Sequence, residues 1–196
     1  MIRPDDTLVT ERLSLRRFTP RDLDLLLVLN SDARVMEHLG GVKDRATVEA
    51  MLRARILEYY DQHPGLGMWA TLERTTGRCV GFHVLNHMHG EPDIQVGYAL
   101  FADYWGRGYA TEMSIAVLRY GFETLGLSRI VAITNMGNTA SQHVLLKAGL
   151  RRNGERQFAH PAYADQGPMA WFVSDRVGWL ADRTIREGAR KGAGPL

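Results

Sequence analysis

The sequence predicts a mixed α/β fold in which strands outnumber helices, and three observations lead to this fold class. Apolar residues recur at spacings of three and four between residues 44 and 63, whereas strand-like stretches follow from residue 67 onward. The stretch IQVGYALF at 94–101 is nearly all apolar, which is typical of a central strand covered on both faces. The stretch DYWGRGYATE at 103–112 then joins that strand to a helix through a glycine-rich turn.

Length and composition indicate one domain. The chain has 196 residues, of which 45% are hydrophobic and 23% charged, and its formal net charge is +2. We expect a single domain over residues 1–180 and a flexible basic tail over 181–196. Acidic and basic residues are interspersed, so no nucleic-acid partner is predicted.

Cysteine content and hydropathy bear on the compartment. The chain has one cysteine, Cys79, so it cannot form an intrachain disulfide. No stretch has the apolar length of a signal peptide or a membrane span. We therefore predict a cytoplasmic location and no membrane partner.

The first half of the chain predicts one strand, two helices and a hairpin. Residues 13–18 form the strand, and Thr19, Pro20 and Asp22 resemble the capped start of a helix over about 20–30. Asp44 caps the second helix, which ends at the His63-Pro64-Gly65 turn. Two strands then follow at 67–73 and 78–85, joined by a turn at 75–77.

The second half predicts two further strand-to-helix units and a final pair of strands. A helix follows the glycine turn and ends near Leu125, where Gly126 supplies a stop. Residues 129–134 form a strand, after which Asn138 caps a short helix that ends at Gly149. Two more strands are predicted near 151–158 and 169–174, and a helix begins near Val177.

The glycine turn at 103–112 predicts an anion site. The first turn of a helix has N–H groups without intrahelical partners, and the helix dipole favours negative charge there. Gly106 and Gly108 lack Cβ atoms, so phosphate oxygens can reach the backbone, and Arg107 adds a positive charge. A simpler interpretation, a tight turn with no ligand, remains open at this point.

Two familiar phosphate motifs do not match. A nucleotide P-loop needs the pattern GxxxxGK[ST], which this sequence lacks. A dinucleotide fold needs a third glycine and a position in the first βα unit, whereas this junction lies in mid-chain after several strands. ATP and NAD are therefore poor candidates for the ligand.

Three segments together resemble the GNAT N-acetyltransferase superfamily. They are TERLSLRRFTPRDLDLL near the N-terminus, VGYALFADYWGRGYATE in the middle, and NTASQHVLLKAGL from Asn138 to Leu150. The nearest branch is similar to the ribosomal-protein alanine acetyltransferases. The resemblance implies a strongly twisted, mostly antiparallel central sheet flanked by helices, with two splayed parallel central strands at 94–101 and 129–134.

The resemblance also implies that acetyl-CoA is the co-substrate and which residues hold it. The main chains of Tyr98, Leu100 and Phe101 would pair with the pantetheine amides, as in strand addition. Asn138 and Ser141 would contact the same arm, and Lys147 would lie near the adenosine phosphate. The pyrophosphate would lie in the glycine cradle, on Gly106, Arg107, Gly108, Tyr109, Ala110 and Thr111. The family has Gln or Arg where this chain has Asp103, which removes one phosphate contact but leaves the main-chain cradle intact.

The implied reaction is direct transfer of the acetyl group to a primary amine through a tetrahedral intermediate. Many relatives have a Tyr acid where this chain has Leu145, so Ser141 is the best substitute. Many relatives have a Glu base where this chain has Gln95, and Asp93 is a candidate base acting through water. A backbone N–H of the 94–101 strand would stabilise the oxyanion.

Several alternatives remain open at the level of the sequence. The departures at 95 and 145 leave room for a non-catalytic acyl-CoA-binding module. His83, His87 and His89 form a set that zinc could use, but a structural or substrate-side role is favoured and no metal is predicted. The acceptor is a protein N-terminus or a small-molecule amine, and family analogy suggests a homodimer.

Overall fold

The computed structural model describes residues 6–163 and 166–181, and its centre is an eight-stranded sheet. The strands are β1 (Asp6–Val9), β2 (Leu13–Arg17), β3 (Gly67–Glu73), β4 (Cys79–His87), β5 (Ile94–Leu100), β6 (Arg129–Asn135), β7 (Arg151–Arg156) and β8 (Met169–Asp175). They lie side by side in the order β1-β2-β3-β4-β5-β6-β8-β7.

The sheet is antiparallel except where β5 lies beside β6. These two strands are parallel and share one register pair, Gln95 with Val131, near their N-terminal ends. By contrast, β4 and β5 pair continuously from His87–Ile94 to Gly81–Leu100. The two central strands therefore diverge, and the predicted GNAT-like fold class is confirmed.

Six α-helices lie against the sheet or connect its strands in the described part of the chain. The helices are α1 (Leu23–Ser31), α2 (Ala33–Met36), α3 (Arg45–Ala50), α4 (Glu58–Gln62), α5 (Tyr109–Arg119) and α6 (Thr139–Ala148). A π-helical segment, Met51–Leu57, joins α3 to α4, and another, Tyr120–Thr124, extends α5. Short 3₁₀ turns lie at Pro20–Asp22, Ala102–Tyr104 and Pro161–Tyr163, and residues 176–181 are helical.

The predicted caps are present as hydrogen bonds. The Asp22 carboxylate accepts from the Thr19 N–H at 2.8 Å, and the Asp44 carboxylate accepts from the Thr47 N–H at 2.8 Å. The Asn138 side chain accepts from the Ser141 N–H at 3.0 Å. These contacts satisfy N–H groups that the first helical turns leave without partners.

Two elements were not predicted from the sequence. β1 has four residues and pairs with β2 across a register shift, so its alternation is too short to recognise. α2 also has four residues and depends on Asp32, whose side chain accepts from the Arg34 N–H at 3.0 Å. Of the predicted tail at 181–196, all but residue 181 lies outside the described residues.

The main core lies between the sheet and the helices α1, α3, α5 and α6. On α5, Met113, Val117 and Leu118 are buried, and α6 contributes Leu145 and Ala148. Within the described ranges, no helix combines the length and apolarity that crossing a bilayer requires.

His83 is a polar residue inside this core. It lies on β4 with no exposed surface, and its Nδ1 is 2.8 Å from the Thr71 hydroxyl. Its Nε2 faces the Ala110 carbonyl at 3.5 Å, so we assign the proton to Nε2. Burial lowers the pKa of His83 to about 3, and the ring is neutral at physiological pH.

His83 is expected to make the fold sensitive to acid. Because its folded pKa lies below the unfolded value of 6.5, its contribution to stability is complete above that pH and falls as pH drops from about 6.5 toward about 3. His83→Gln keeps a donor and an acceptor but cannot titrate. When the pH is lowered from 7.5 to 5, its free energy of unfolding should therefore fall by about 2 kcal/mol less than that of wild type. Urea unfolding at both pH values measures this difference. An equal fall in the free energy of unfolding of wild type and variant would contradict the prediction.

Candidate active site

A gap opens in the sheet where β5 and β6 diverge beyond Gln95. Phe101 donates its N–H to the Val80 carbonyl at 3.0 Å, so odd-numbered residues at this end of β5 point their backbone groups toward β4. The backbone groups of Tyr98 and Leu100 alternate with these and face the gap. The Leu100 carbonyl accepts from the Trp105 indole at 2.9 Å, and the Phe101 N–H is not free for a ligand.

The glycine turn ends at the start of α5, directly beside the gap. Gly106 and Gly108 have φ angles of 73° and 78°, which favour glycine. The bond from the Glu112 N–H to the Gly108 carbonyl, 3.0 Å long, is the first of the helix. The amides of residues 109–111 precede that ladder, which makes them the donors of an anion site.

A network of ion pairs and hydrogen bonds holds the glycine turn in place. Arg12, in the turn between β1 and β2, contacts the Glu112 carboxylate at 2.6 Å and donates to the Arg107 carbonyl at 3.0 Å. The Glu112 carboxylate also accepts from the Thr10 hydroxyl at 2.6 Å. The Tyr109 phenol donates to Glu73 of β3 at 2.6 Å. The network ties the cradle to the turn between β1 and β2 and to β3, and so fixes its conformation.

Removing the charge of Glu112 is expected to destabilise the fold. Burial opposes ionisation of Glu112, but hydrogen bonds from Thr10 and Arg12 outweigh it and lower the pKa. The stabilisation is present above the ordinary pKa of 4.5 and is lost as pH falls through the lower folded value. Glu112→Gln should lower the free energy of unfolding by about 1 kcal/mol at pH 7, and by progressively less below about pH 4.5.

Urea unfolding across that pH range measures the Glu112 effect. Glu49→Gln is the control, because Glu49 forms an exposed pair with Arg45 on α3, 2.7 Å long. A difference between wild type and Glu112→Gln that does not shrink in acid would contradict the ion-pair assignment.

The gap and the glycine turn open into one cavity of about 710 Å³. We call the part of the cavity lined by β5, the glycine turn and α6 the cofactor side, because the predicted cofactor residues lie there, and the part lined by α2, β4 and the segment before β8 the opposite side. Ten of the predicted cofactor residues line it: Tyr98, Leu100, Gly106, Gly108, Tyr109, Ala110, Thr111, Asn138, Ser141 and Lys147.

Arg107 and Phe101 flank the cavity without lining it. The Arg107 guanidinium donates to the Asp103 carbonyl at 2.9 Å and lies 5.0 Å above the Tyr104 ring. Its side chain is therefore folded back on the turn, and the cradle consists of backbone amides.

Ser141 lies at the start of α6, facing β5 across the cofactor side. Both Ser141 and Tyr98 line the cavity, and the Ser141 side chain lies close enough to influence the pKa of the Tyr98 phenol. Burial raises the pKa of Tyr98, although the nearby Ser141 side chain opposes that effect, so the phenol stays protonated. The Tyr98 ring also stacks on buried His83, with centroids 5.6 Å apart. The sequence pointed only to the main chain of Tyr98, and this pairing of side chains was missed.

The two predicted base positions lie differently. Gln95 lines the cavity, and its amide donates to the Asn86 side chain at 3.2 Å. Asp93 does not line the cavity, and Arg129 binds both of its carboxylate oxygens, at 2.6 and 2.8 Å. The structure thus brings Gln95 and Ser141 into one cavity and leaves Asp93 outside it.

The three histidines occupy separate environments. His83 is in the core, and His87 contacts the Tyr59 phenol at 2.7 Å on the side of α4. His89 lines the cavity, and its Nε2 lies 3.0 Å from Arg55. Among the described residues, no group of three or more potential ligands is placed to hold a metal ion.

His89 is neutral, and its proton is on Nδ1. Arg55 can only donate, so Nε2 of His89 must accept the bond between them. Burial, followed by the charges of Arg55 and His160, lowers the pKa of His89 to about 4. His89 therefore presents an N–H donor at neutral pH and is unsuited to act as a base.

Comparisons with known proteins agree with this geometry. A profile described as "Acetyltransferase (GNAT) domain" matches residues 12–151. The uncharacterized N-acetyltransferase YoaA of Bacillus subtilis (strain 168) is 32% identical over 152 residues, which cover 75% of this chain and 84% of that protein. An acetyltransferase of the GNAT family from Bacillus anthracis superposes with a TM-score of 0.70 at 25% identity, covering 87% of this chain and 98% of that one.

A more distant structure has the same fold. Spermidine N-acetyltransferase from Vibrio cholerae, solved with CoA and spermine, superposes with a TM-score of 0.69 over 87% of this chain and 99% of that one. Its identity of 15% indicates common architecture alone. The family match, by contrast, spans more than half of the chain. The chain belongs to the GNAT acetyltransferase family, whose general reaction is acetyl-CoA-dependent N-acetylation of amines.

Proposed function

We propose that this chain moves the acetyl group of acetyl-CoA to a primary amine by direct attack through a tetrahedral intermediate. The observation that carries the proposal is the union of the β5–β6 gap and the glycine turn in one cavity. The gap offers backbone groups of Tyr98 and Leu100, and the turn offers the amides of residues 109–111.

The residues on the cofactor side fit acetyl-CoA. A Cβ added at Gly106 would meet no protein atom within 4 Å, so the space over the turn is open to a phosphate. The amides at the start of α5 would hold the pyrophosphate, and Lys147 on the cavity wall would supply positive charge near the adenosine phosphate. Asn138 caps α6 through its side-chain oxygen, which leaves its amide nitrogen for the pantetheine arm.

Ser141 is the proposed acid. Its hydroxyl faces the gap beside Tyr98, whose raised pKa keeps a second protonated hydroxyl next to it. The substrate ammonium first releases a proton to water, and the neutral nitrogen then bonds to the carbonyl carbon while the C=O π electrons move to the oxygen, which gives the tetrahedral oxyanion. When this intermediate collapses, the C=O bond re-forms, the C–S bond breaks and the sulfur takes a proton from Ser141. Ser141 recovers its proton from the substrate nitrogen, directly or through water. A backbone N–H of β5 that faces the gap would stabilise the oxyanion.

A non-catalytic acyl-CoA-binding module is the second candidate. Two positions favour it, because the residues there cannot act as an acid or a base. Leu145 is 2% exposed and cannot donate a proton, and Gln95 cannot accept one. Both proposals require the same cofactor side and differ only in turnover. Release of free CoA thiol in the presence of an amine therefore distinguishes them.

The acceptor, by family analogy, is a protein N-terminus or a small-molecule amine. A structural neighbour named spermidine N-acetyltransferase extends the range of amines to be tried. Asp93 remains a proposed base only through water, given its pairing with Arg129. A homodimer and a cytoplasmic location also stay predictions from the sequence.

Steady-state thiol release from acetyl-CoA tests the proposed function. The acceptors are peptides with free N-termini, aliphatic and aromatic monoamines, spermidine and kanamycin, with mass spectrometry of the acetylated product. Transfer to any of these amines supports the enzyme. Binding of CoA without transfer to any of them would favour the binding module.

A further inference from the structure

His83 contacts both parts of the cofactor side, the β5–β6 gap and the cradle of amides at the start of α5, without reaching the cavity. Its ring stacks on Tyr98 of β5, with centroids 5.6 Å apart and an interplanar angle of 27°. Its Nε2 lies 3.5 Å from the Ala110 carbonyl of α5. Tyr98 and Ala110 line the cavity, whereas His83 does not line it and has no exposed surface. Any effect of His83 on a ligand therefore passes through its neighbours.

The chain that joins the gap to the cradle does not by itself fix their alignment. β5 ends at Leu100 and α5 begins at Tyr109. The segment between them contains Gly106 and Gly108, and a Cβ added at Gly106 would meet no atom within 4 Å. Because glycine is conformationally permissive, this segment can change its path. Contacts between elements must therefore hold the first turn of α5 at its position beside β5.

The network around Glu112 anchors the cradle to strands other than β5. It joins the start of α5 to Arg12, in the turn between β1 and β2, and to Glu73 of β3. Both partners are separated from β5 by β4, since the strand order is β1-β2-β3-β4-β5. A contact from β4 relates the cradle to the gap more directly, and His83 supplies one.

The partners of His83 hold its ring in one orientation. The Thr71 hydroxyl of β3 lies 2.8 Å from Nδ1 and donates to it, because the proton of the ring is on Nε2. His83 and Tyr98 are register partners on β4 and β5, so their rings lie on the same face of the sheet. Nε2 is left to donate to Ala110. The ring thus links the strand that lines the gap to the first turn of α5.

From this arrangement we infer that His83 is a positioning residue, which aligns the gap with the cradle so that one ligand can occupy both. Acetyl-CoA needs this alignment, because its pantetheine arm and its pyrophosphate are covalently joined. Once one part of such a ligand is bound, binding of the other part is intramolecular, and the gain in affinity depends on geometry. The inference rests on the proposed function and adds a residue that does not touch the ligand.

Calorimetric titration with two ligands tests the inference without requiring turnover. CoA would occupy both the gap and the cradle, whereas the phosphoadenosine diphosphate half of CoA, which lacks the pantetheine arm, would occupy the cradle alone. The ratio of the two dissociation constants measures what the arm contributes to binding.

The test variant is Thr71→Val combined with His83→Phe. It replaces both members of a buried hydrogen bond with apolar groups of similar shape, so neither is left without a partner. We expect CoA to bind about tenfold more weakly, because the gap and the cradle lose their alignment. The phosphoadenosine diphosphate half should bind within about twofold of wild type, since the network around Glu112 still holds the cradle.

Two further variants separate positioning from a loss of stability. His83→Gln keeps an acceptor for Thr71 and a donor for Ala110, so it should recover most of the affinity for CoA. Phe122→Leu removes volume from the same core at a buried residue that does not line the cavity. It should lower the free energy of unfolding and leave the affinities for both ligands unchanged.

Three results would overturn the inference about His83. They are unchanged affinity for CoA in the double variant, an equal loss of affinity for CoA and for its phosphoadenosine diphosphate half, and the same selective loss in Phe122→Leu. Each of them would leave CoA binding by the wild type, and with it the proposed function, standing. Failure of the wild type to bind CoA would instead contradict both the inference and the proposed function.

Discussion

Thr111→Asp is expected to raise the dissociation constant for CoA about a hundredfold while leaving the folded protein at least as stable. Thr111 lines the cavity in the first turn of α5. A carboxylate there would repel a phosphate about 6 Å away by roughly 3 kcal/mol at an effective dielectric constant of 20. The same carboxylate interacts favourably with the helix dipole, by about 0.3–1 kcal/mol. Calorimetry with CoA and urea unfolding of the free protein measure the two effects.

A matched control exists on another helix. Thr47 occupies the same third position of α3, after its cap Asp44, and lies outside the cavity. Thr47→Asp should leave the affinity for CoA unchanged. If Thr111→Asp binds CoA as wild type does, the start of α5 is not the pyrophosphate site, and DYWGRGYATE is a turn without a phosphate ligand.

Ser141→Ala is expected to lower kcat about a hundredfold, because the sulfur would leave without its proton donor. Stability should change little, since the Ser141 N–H, which the substitution keeps, makes the capping bond to Asn138. Ser141→Thr retains the hydroxyl and should recover part of the rate. Initial rates with saturating acetyl-CoA and amine measure kcat.

Two controls separate acid catalysis from cofactor binding. The affinity of Ser141→Ala for CoA, measured by calorimetry, should stay within a few-fold of wild type if the hydroxyl acts mainly on the leaving group. Tyr98→Phe removes the partner hydroxyl and should lower kcat by a smaller factor than Ser141→Ala. An equal loss of CoA affinity and rate in Ser141→Ala would assign the residue to cofactor binding instead.

Local signals allowed much of the fold to be predicted. Helix starts could be predicted because their capping bonds are local and join residues no more than three positions apart. The capping residues are Thr19, Asp44 and Asn138. The apolar run at 94–101 became β5 at the centre of the sheet. β1 and α2 were missed because four residues contain too little periodicity to distinguish them from a loop.

The candidate site was predictable only in part, since its side-chain pairing is not local. The cradle depends on glycines at fixed spacing and is visible in the sequence. Tyr98 and Ser141 come into one cavity because β5 diverges from β6, and the pair between Asp93 and Arg129 spans 36 residues.

Binding of acetyl-CoA in the β5–β6 gap is the central claim, and thermal unfolding tests it most directly. The protein is unfolded alone and with acetyl-CoA, CoA, NAD or ATP at saturating concentration. A ligand at about 100 times its dissociation constant adds about 2.7 kcal/mol, which shifts Tm by roughly 5–10 °C for a domain near this size. We expect that shift with acetyl-CoA and CoA and little change with NAD or ATP. The absence of a shift with both CoA species would contradict the claim.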